Sequence, residues 1–106
     1  MNRVFFNEQA EQDLSEIVIG LLLWTKISIT EEEALQYADD IYLMAQTIPD
    51  LSYHQKCQYN MHRQYGKYQL KYKRNKRTTW YIIYDIEDDS GNVFINKVIS
   101  NYMTLE

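Results

Sequence analysis

Proline, glycine and cysteine are nearly missing from this chain. One proline and three glycines in 106 residues leave little room for a flexible linker or a low-complexity tract. A lone cysteine, Cys57, excludes an internal disulfide; a reducing compartment, and so a cytoplasmic location, is expected. Long apolar runs are absent too. The longest, Ile17 to Trp24, falls well short of the roughly 20 residues that a membrane-spanning helix needs. It follows acids rather than a basic segment, so it does not read as a secretory signal, and no membrane association is expected.

Charge of one sign is missing in two places. Residues 7 to 40 hold nine acids and a single cation, Lys26. Residues 63 to 77 hold seven of the eleven Lys and Arg and no acid. The net charge of −4 is therefore the average of a two-signed molecule. An acidic average speaks against a nucleic-acid partner, but the local field at the docking surface matters more than the sum. With 45% hydrophobic and 25% charged residues, residues 1–106 read as one globular domain.

Arg3 to Phe6 favours a short strand. From Asn7 the period changes. Ala10, Leu14, Ile17, Val18, Leu21, Leu22 and Thr25 recur at helical spacing, and Ile27-Ser28-Ile29 is a break. Thr30 and Glu33 form a capping box with three acids in the first turn. Ala34, Ala38, Ile41, Ala45 and Ile48 mark the buried face of a second helix, which Pro49 ends. Tyr53 to Tyr65 reads as an irregular helix or a loop. Three strands follow: Lys67 to Lys73, with Tyr68, Leu70 and Tyr72 on one face; Thr78 to Ile86; and Val93 to Ile99. Arg74 to Arg77 and Asp88 to Asn92 supply the turns. The middle strand is apolar on both faces, so it is expected at the centre of the sheet with a cover on each side. The expected fold is α+β, in the order β-α-α-β-β-β, with a helical hairpin packed on one face of a mainly antiparallel sheet.

Arg63, Lys67, Lys71, Lys73, Arg74, Lys76 and Arg77 are interleaved with Tyr65, Tyr68 and Tyr72. Outward cations on an edge strand are a common guard against aggregation. Seven exceed that need, and tyrosines beside cations stack on unpaired bases. The expectation is that Tyr68 and Tyr72 turn inward and the cations outward, with Tyr65 open to either side. His62 is read as a solvated loop histidine, or alternatively as a general base. His54, Cys57 and His62 match no standard zinc spacing, and neither a metal nor another cofactor is expected.

The element order resembles that of the RelE/ParE superfamily, the toxins of bacterial type II toxin–antitoxin pairs. The residues that carry the resemblance are Phe5, Ala10, Leu14 and Ile17, then Ile48-Pro49, Gly66, Trp80 to Ile86, and Val93 to Ile99. It implies a toxin silenced by a cognate antitoxin. The leading activity is ribosome-dependent cleavage of mRNA; the alternatives are inhibition of DNA gyrase without chemistry, or a binding-only relative. The family pattern on the basic strand, Tyr-Lys-x-Lys-x-Arg, compares with Tyr68-Gln69-Leu70-Lys71-Tyr72-Lys73. Lys71 matches, Lys73 substitutes for an arginine, and Gln69 replaces a lysine. Tyr81 holds the family's next arginine position, and no arginine follows the last strand. The resemblance thus implies Lys71, Lys73 and Tyr102 as catalytic residues, with His62 as base. Arg63, Tyr65, Lys67, Arg74, Lys76 and Arg77 are the expected nucleic-acid contacts.

Overall fold

The computed structural model describes residues 3–24 and 29–102. Strand β1 (Val4–Phe6) leads into α1 (Glu8–Trp24), which pairs with α2 (Glu31–Gln46) as a helical hairpin. A 3-10 turn at Ile48–Asp50, a two-residue strand β2 (Gln55–Lys56) and one turn of helix α3 (Asn60–Arg63) follow. Strands β3 (Tyr68–Lys73), β4 (Thr79–Ile86) and β5 (Val93–Ser100) complete the chain. The sheet order is β1-β5-β4-β3-β2, parallel between β1 and β5 and antiparallel elsewhere. The expected α+β order is present, with β2 and α3 added in the stretch whose pattern was ambiguous.

Local chemistry explains the helix starts. The Asn7 side-chain oxygen accepts from the Ala10 amide at 2.8 Å, supplying an acceptor to one of α1's first free N–H groups. Thr30 and Glu33 form the reciprocal capping box at the start of α2. Ala34, Ala38, Ile41 and Ala45 of α2 are buried, and so is Ile48 beyond it. Three of the four helical positions are alanines, whose small side chains let the helix lie close to its neighbours. In α1, Ala10 is buried and Leu14, Ile17, Val18 and Leu21 are half-buried. Leu22, expected on that face, is exposed. It sits about a third of a turn round from Ala10, at the margin of the stripe. Thr25, Ile27 and Ser28 lie outside the described residues.

Residue parity sorts the sheet into two faces. Tyr68, Leu70 and Tyr72 of β3, Trp80, Ile82 and Tyr84 of β4, and Val93, Ile95 and Val98 of β5 join the core under the helices. Tyr81, Ile83 and Ile99 point the other way, into a smaller cluster with Cys57, Tyr59, Met61 and Tyr65. The segment from Cys57 to Tyr65 is therefore the second cover that the doubly apolar β4 requires. Gly66 shows how closely it lies. A Cβ there would come within 3.1 Å of the Ile83 and Asn96 side chains and 3.2 Å of the Tyr84 carbonyl oxygen.

Two irregularities shape β5. The register slips between Ile83 and Tyr84, which pair with Lys97 and Ile95, so Asn96 is the extra residue of a bulge. Its amide donates to the Tyr65 carbonyl and the Asp85 carboxylate, both at 2.8 Å, and so pins the cover to the sheet. Beyond Ile95, β1 no longer flanks β5. There the Asp13 carboxylate of α1 accepts from the Val98 amide at 2.9 Å and from the Lys97 ammonium at 3.1 Å. A buried acid thus completes the edge where the neighbouring strand stops.

Candidate nucleic-acid interface

Lys71 and Lys73 stand on the sheet face opposite the helices, because they alternate with the inward Leu70 and Tyr72. Cross-strand pairing places Lys71, Tyr81 and Ile99 in one row, and Lys73 beside Thr79 in the next. The Asn101 amide donates to the Thr79 carbonyl at 2.9 Å and extends that second row. The β3–β4 turn lies just beyond. It is closed by a 2.9 Å bond from the Arg74 amide to the Thr78 carbonyl, and Asn75 accepts from the Arg77 and Thr78 amides. Lys71, Lys73, Lys76, Arg77 and Tyr102 are all exposed. Tyr81 and Ile99 are buried beneath the cover, so the open part of these rows is a shelf bordered by Lys71 and Lys73, with further cations at its hairpin end.

Among the described residues, no carboxylate compensates the charges on the shelf. The ion pairs among the described residues are Arg74–Asp40 and Lys97–Asp13. None involves Lys71, Lys73, Lys76 or Arg77. Their heads repel one another in the free protein, and a polyanion relieves that repulsion while releasing its own counterions.

The other clustered cations lie away from the shelf. Arg74 turns to the helix side, where it pairs with Asp40, donates to the Tyr72 hydroxyl at 3.0 Å and lies 4.3 Å from the Tyr37 ring centroid. The bond to Arg74 lowers the Asp40 pKa, and the same contact raises that of Arg74, so both stay charged. Arg63 donates to the Cys57 and Gln58 carbonyls and to Asn60, which fixes the shape of the cover. Lys67 lies 5.2 Å from the Tyr68 ring centroid. Tyr65 is half-buried in the cover, its ring 5.3 Å from the Lys97 ammonium.

His62 is completely buried, not the solvated loop histidine of the sequence reading. Its ring lies 4.8 Å from Tyr81 and 5.2 Å from Tyr59, and the two tyrosines meet edge to face at 5.8 Å. One of the enclosing rings, Tyr59, lies three residues before it in the same turn and the other, Tyr81, comes from across the sheet, a packing that no regular spacing announces. Tyr81 is held as a neutral phenol: burial raises its pKa, and a hydrogen bond to Tyr59 adds to the shift. His54 is on the other face, its Nδ1 2.7 Å from the Tyr84 hydroxyl. The sheet therefore separates the two histidines, and no metal-binding cluster forms among the described residues.

Gln69 occupies the position next to Lys71 on the same face. It is 2% exposed, and neither of its amide atoms has a partner. Buried amides are nearly always hydrogen-bonded, so this one is an exception beneath the cover.

Neither family models, curated proteins nor solved structures match this chain.

Of the residues picked out from the sequence, the structure brings Lys71 and Lys73 together on one open surface, with Lys76, Arg77 and Tyr102 exposed toward its hairpin end. His62 is beneath the border of that surface, behind Tyr81. Asp13, Asn96 and Tyr59 were not anticipated. Asp13 carried a signal, since it falls between Ala10, Leu14 and Ile17 on the buried stripe of α1. The roles of Asn96 and Tyr59 depend on contacts across the sheet that spacing alone does not reveal. Among the described residues, no helix is long and apolar enough to cross a membrane.

Proposed function

We propose that this chain is a toxin of RelE/ParE type that docks RNA on the sheet face opposite its helices. The observation that carries the reading is the exposed pair Lys71 and Lys73, without a carboxylate partner among the described residues, at the open border of the face beside Tyr81. Strand residues two apart place their heads roughly 7 Å apart along the strand, a suitable interval for successive contacts along a phosphodiester chain.

Cleavage at this face proceeds by attack of the RNA 2′-hydroxyl oxygen on the neighbouring phosphorus. The hydroxyl proton passes to a base, the bond to the 5′-oxygen breaks, and that oxygen takes up a proton. Lys71 and Lys73 neutralise the charge that builds on the phosphorane. Tyr102 is the proposed proton donor. Activity is held in check by a cognate antitoxin.

The test is expression of the protein, followed by mapping of mRNA ends in the arrested cells. Ends carrying 2′,3′-cyclic phosphate are expected, together with restored growth for the Lys71→Ala, Lys73→Ala double variant. Unchanged toxicity of that variant removes this face from the mechanism.

A second reading, inhibition of DNA gyrase, has one observation in its favour. On this side strand β4 carries Ile83, Tyr81 and Thr79 and no cation, with Ile83 and Tyr81 buried beneath the cover. Loss of supercoiling by purified gyrase on addition of the protein, with mRNA intact, selects that reading.

A further inference from the structure

The far end of the same sheet face, at the edge of the cover, has its own combination of rings and cations. Phe5 of β1 pairs in register with Phe94 of β5. Their flanking residues Val4, Phe6, Val93 and Ile95 turn into the helix-side core, so both rings face away from the helices. The rings are stacked, with centroids 5.4 Å apart and planes 19° from parallel. Phe5 is 38% exposed, and the Arg3 guanidinium lies 5.3 Å from its ring centroid.

Phe94 also pairs with Asp85 of β4, which lines an open cleft of about 520 Å³ with Lys56, Arg63, Tyr65 and Lys67. Three cations thus share the cleft with one acid. That acid is already engaged by the Lys67 amide at 3.0 Å and the Asn96 amide at 2.8 Å. The Arg63 fork is held in place by its three acceptors. A fork fixed in advance loses less freedom when it meets a phosphate.

We infer that the Phe5–Phe94 stack and the adjoining cleft of Lys56, Arg63 and Lys67 form a second contact region for single-stranded RNA. The region rests on the proposed reading that this sheet face docks RNA, and extends it to a part of the molecule that reading does not use. Single-stranded nucleic acid is held by cationic grooves that follow the backbone and by aromatic faces on which bases stack in any sequence. Both are present here. Lys67, whose amide bonds Asp85 just before β3 begins, stands six residues along the chain from Lys73, about 20 Å at the strand rise. A very short oligonucleotide reaches one region; a longer one reaches both.

Fluorescence anisotropy at low salt, with labelled oligouridylates of about four and about twelve nucleotides, tests this. Phe5→Leu keeps an apolar side chain on an edge strand but removes the π-face. It is expected to weaken binding of the longer oligonucleotide about tenfold and to leave the shorter one, held at the Lys71 and Lys73 shelf, unchanged. Lys56→Ala with Lys67→Ala is expected to do the same and to flatten the slope of log affinity against log salt by about 1.4 for two lost phosphate contacts. Lys71→Ala with Lys73→Ala weakens both lengths. A 4-thiouridine in the longer oligonucleotide is expected to cross-link to the peptide that contains Phe5 or Phe94. Wild-type affinity of Phe5→Leu and of the cleft variant for the longer oligonucleotide overturns the second region and leaves the shelf standing. Failure of the wild-type protein to bind either length overturns both.

Discussion

The two sides of this sheet are built from the same strands and end as opposites. The helix side is a continuous apolar layer of strand aromatics and β-branched residues under two helices, with few polar atoms, of which the Trp80 indole N–H is satisfied by the Tyr37 hydroxyl at 2.9 Å. The other side is covered only in its middle, by the segment from Cys57 to Tyr65, and open at both ends. Under that cover lie a buried histidine ringed by tyrosines and a glutamine whose amide has no partner; beyond it stand lysines that meet no carboxylate among the described residues. One side serves stability. The other retains polar groups that stability alone does not require, which is the usual mark of a working surface.

Adjacent residues of β4 give the sharpest test of this contrast. Ile82 and Ile83 are both completely buried, on opposite faces. Ile82→Ala opens a hole between sheet and helices that neither layer closes, and is expected to cost about 4 kcal/mol in urea denaturation. Ile83→Ala lies under a single loop that settles into the space, and is expected to cost about 2 kcal/mol. Equal losses would mean that the cover is as rigid as the helical layer.

Asp13 belongs to neither face but closes the open edge of β5. Asp13→Ala leaves the Val98 amide without its acceptor and the Lys97 ammonium, 18% exposed, without its partner. A loss of about 3 kcal/mol is expected. Hydrogen exchange at the Val98 amide is expected to accelerate more than that of Ile82. Uniform acceleration would show that the edge and the centre open together.

Tyr84 gives the helix side an alkaline limit. Its burial, with Tyr68 close by, pushes its pKa from 10 up to about 12. Between those values the folded chain keeps a proton that the unfolded chain has lost. Stability is therefore fully present below pH 10 and declines as the pH rises toward 12. The two-unit difference corresponds to about 2–3 kcal/mol. Tyr84→Phe is expected to remove that part of the alkaline decline, at a cost of about 1 kcal/mol at neutral pH for the lost contact with His54. Parallel alkaline limbs in the two proteins would place the titrating group elsewhere.

Elements whose pattern repeats were legible before the fold was seen. The Thr30–Glu33 capping box, the alanine stripe of α2 and the double-sided burial of β4 all follow from spacing within one element. So does the outward alternation of Lys71 and Lys73. What spacing does not carry is partnership across the chain. Arg74 looks like its basic neighbours until Asp40, 34 residues earlier, is found beside it. Residues 53 to 65 mix tyrosine, histidine, cysteine and methionine without a period, because they fold to suit the strand beneath them. His62 is buried for that reason: the rings around it come from Tyr59 in the same turn and from Tyr81 across the sheet.

Gln69 sets the smallest expected change and the only gain. Its amide is buried without partners next to Lys71, where the resemblance to RelE/ParE toxins expects a lysine. Methionine has similar length and no strong hydrogen-bonding group, so Gln69→Met removes the desolvation cost and keeps the volume. A rise in stability of about 1 kcal/mol is expected in urea denaturation. The same substitution on the helix side has no counterpart, because the polar groups described there are satisfied. If the gain is accompanied by lost growth inhibition, the unpaired amide is retained for the work of the open face. If stability falls instead, the amide has a binding partner beneath the cover, and the two sides of the sheet differ less than their contacts indicate.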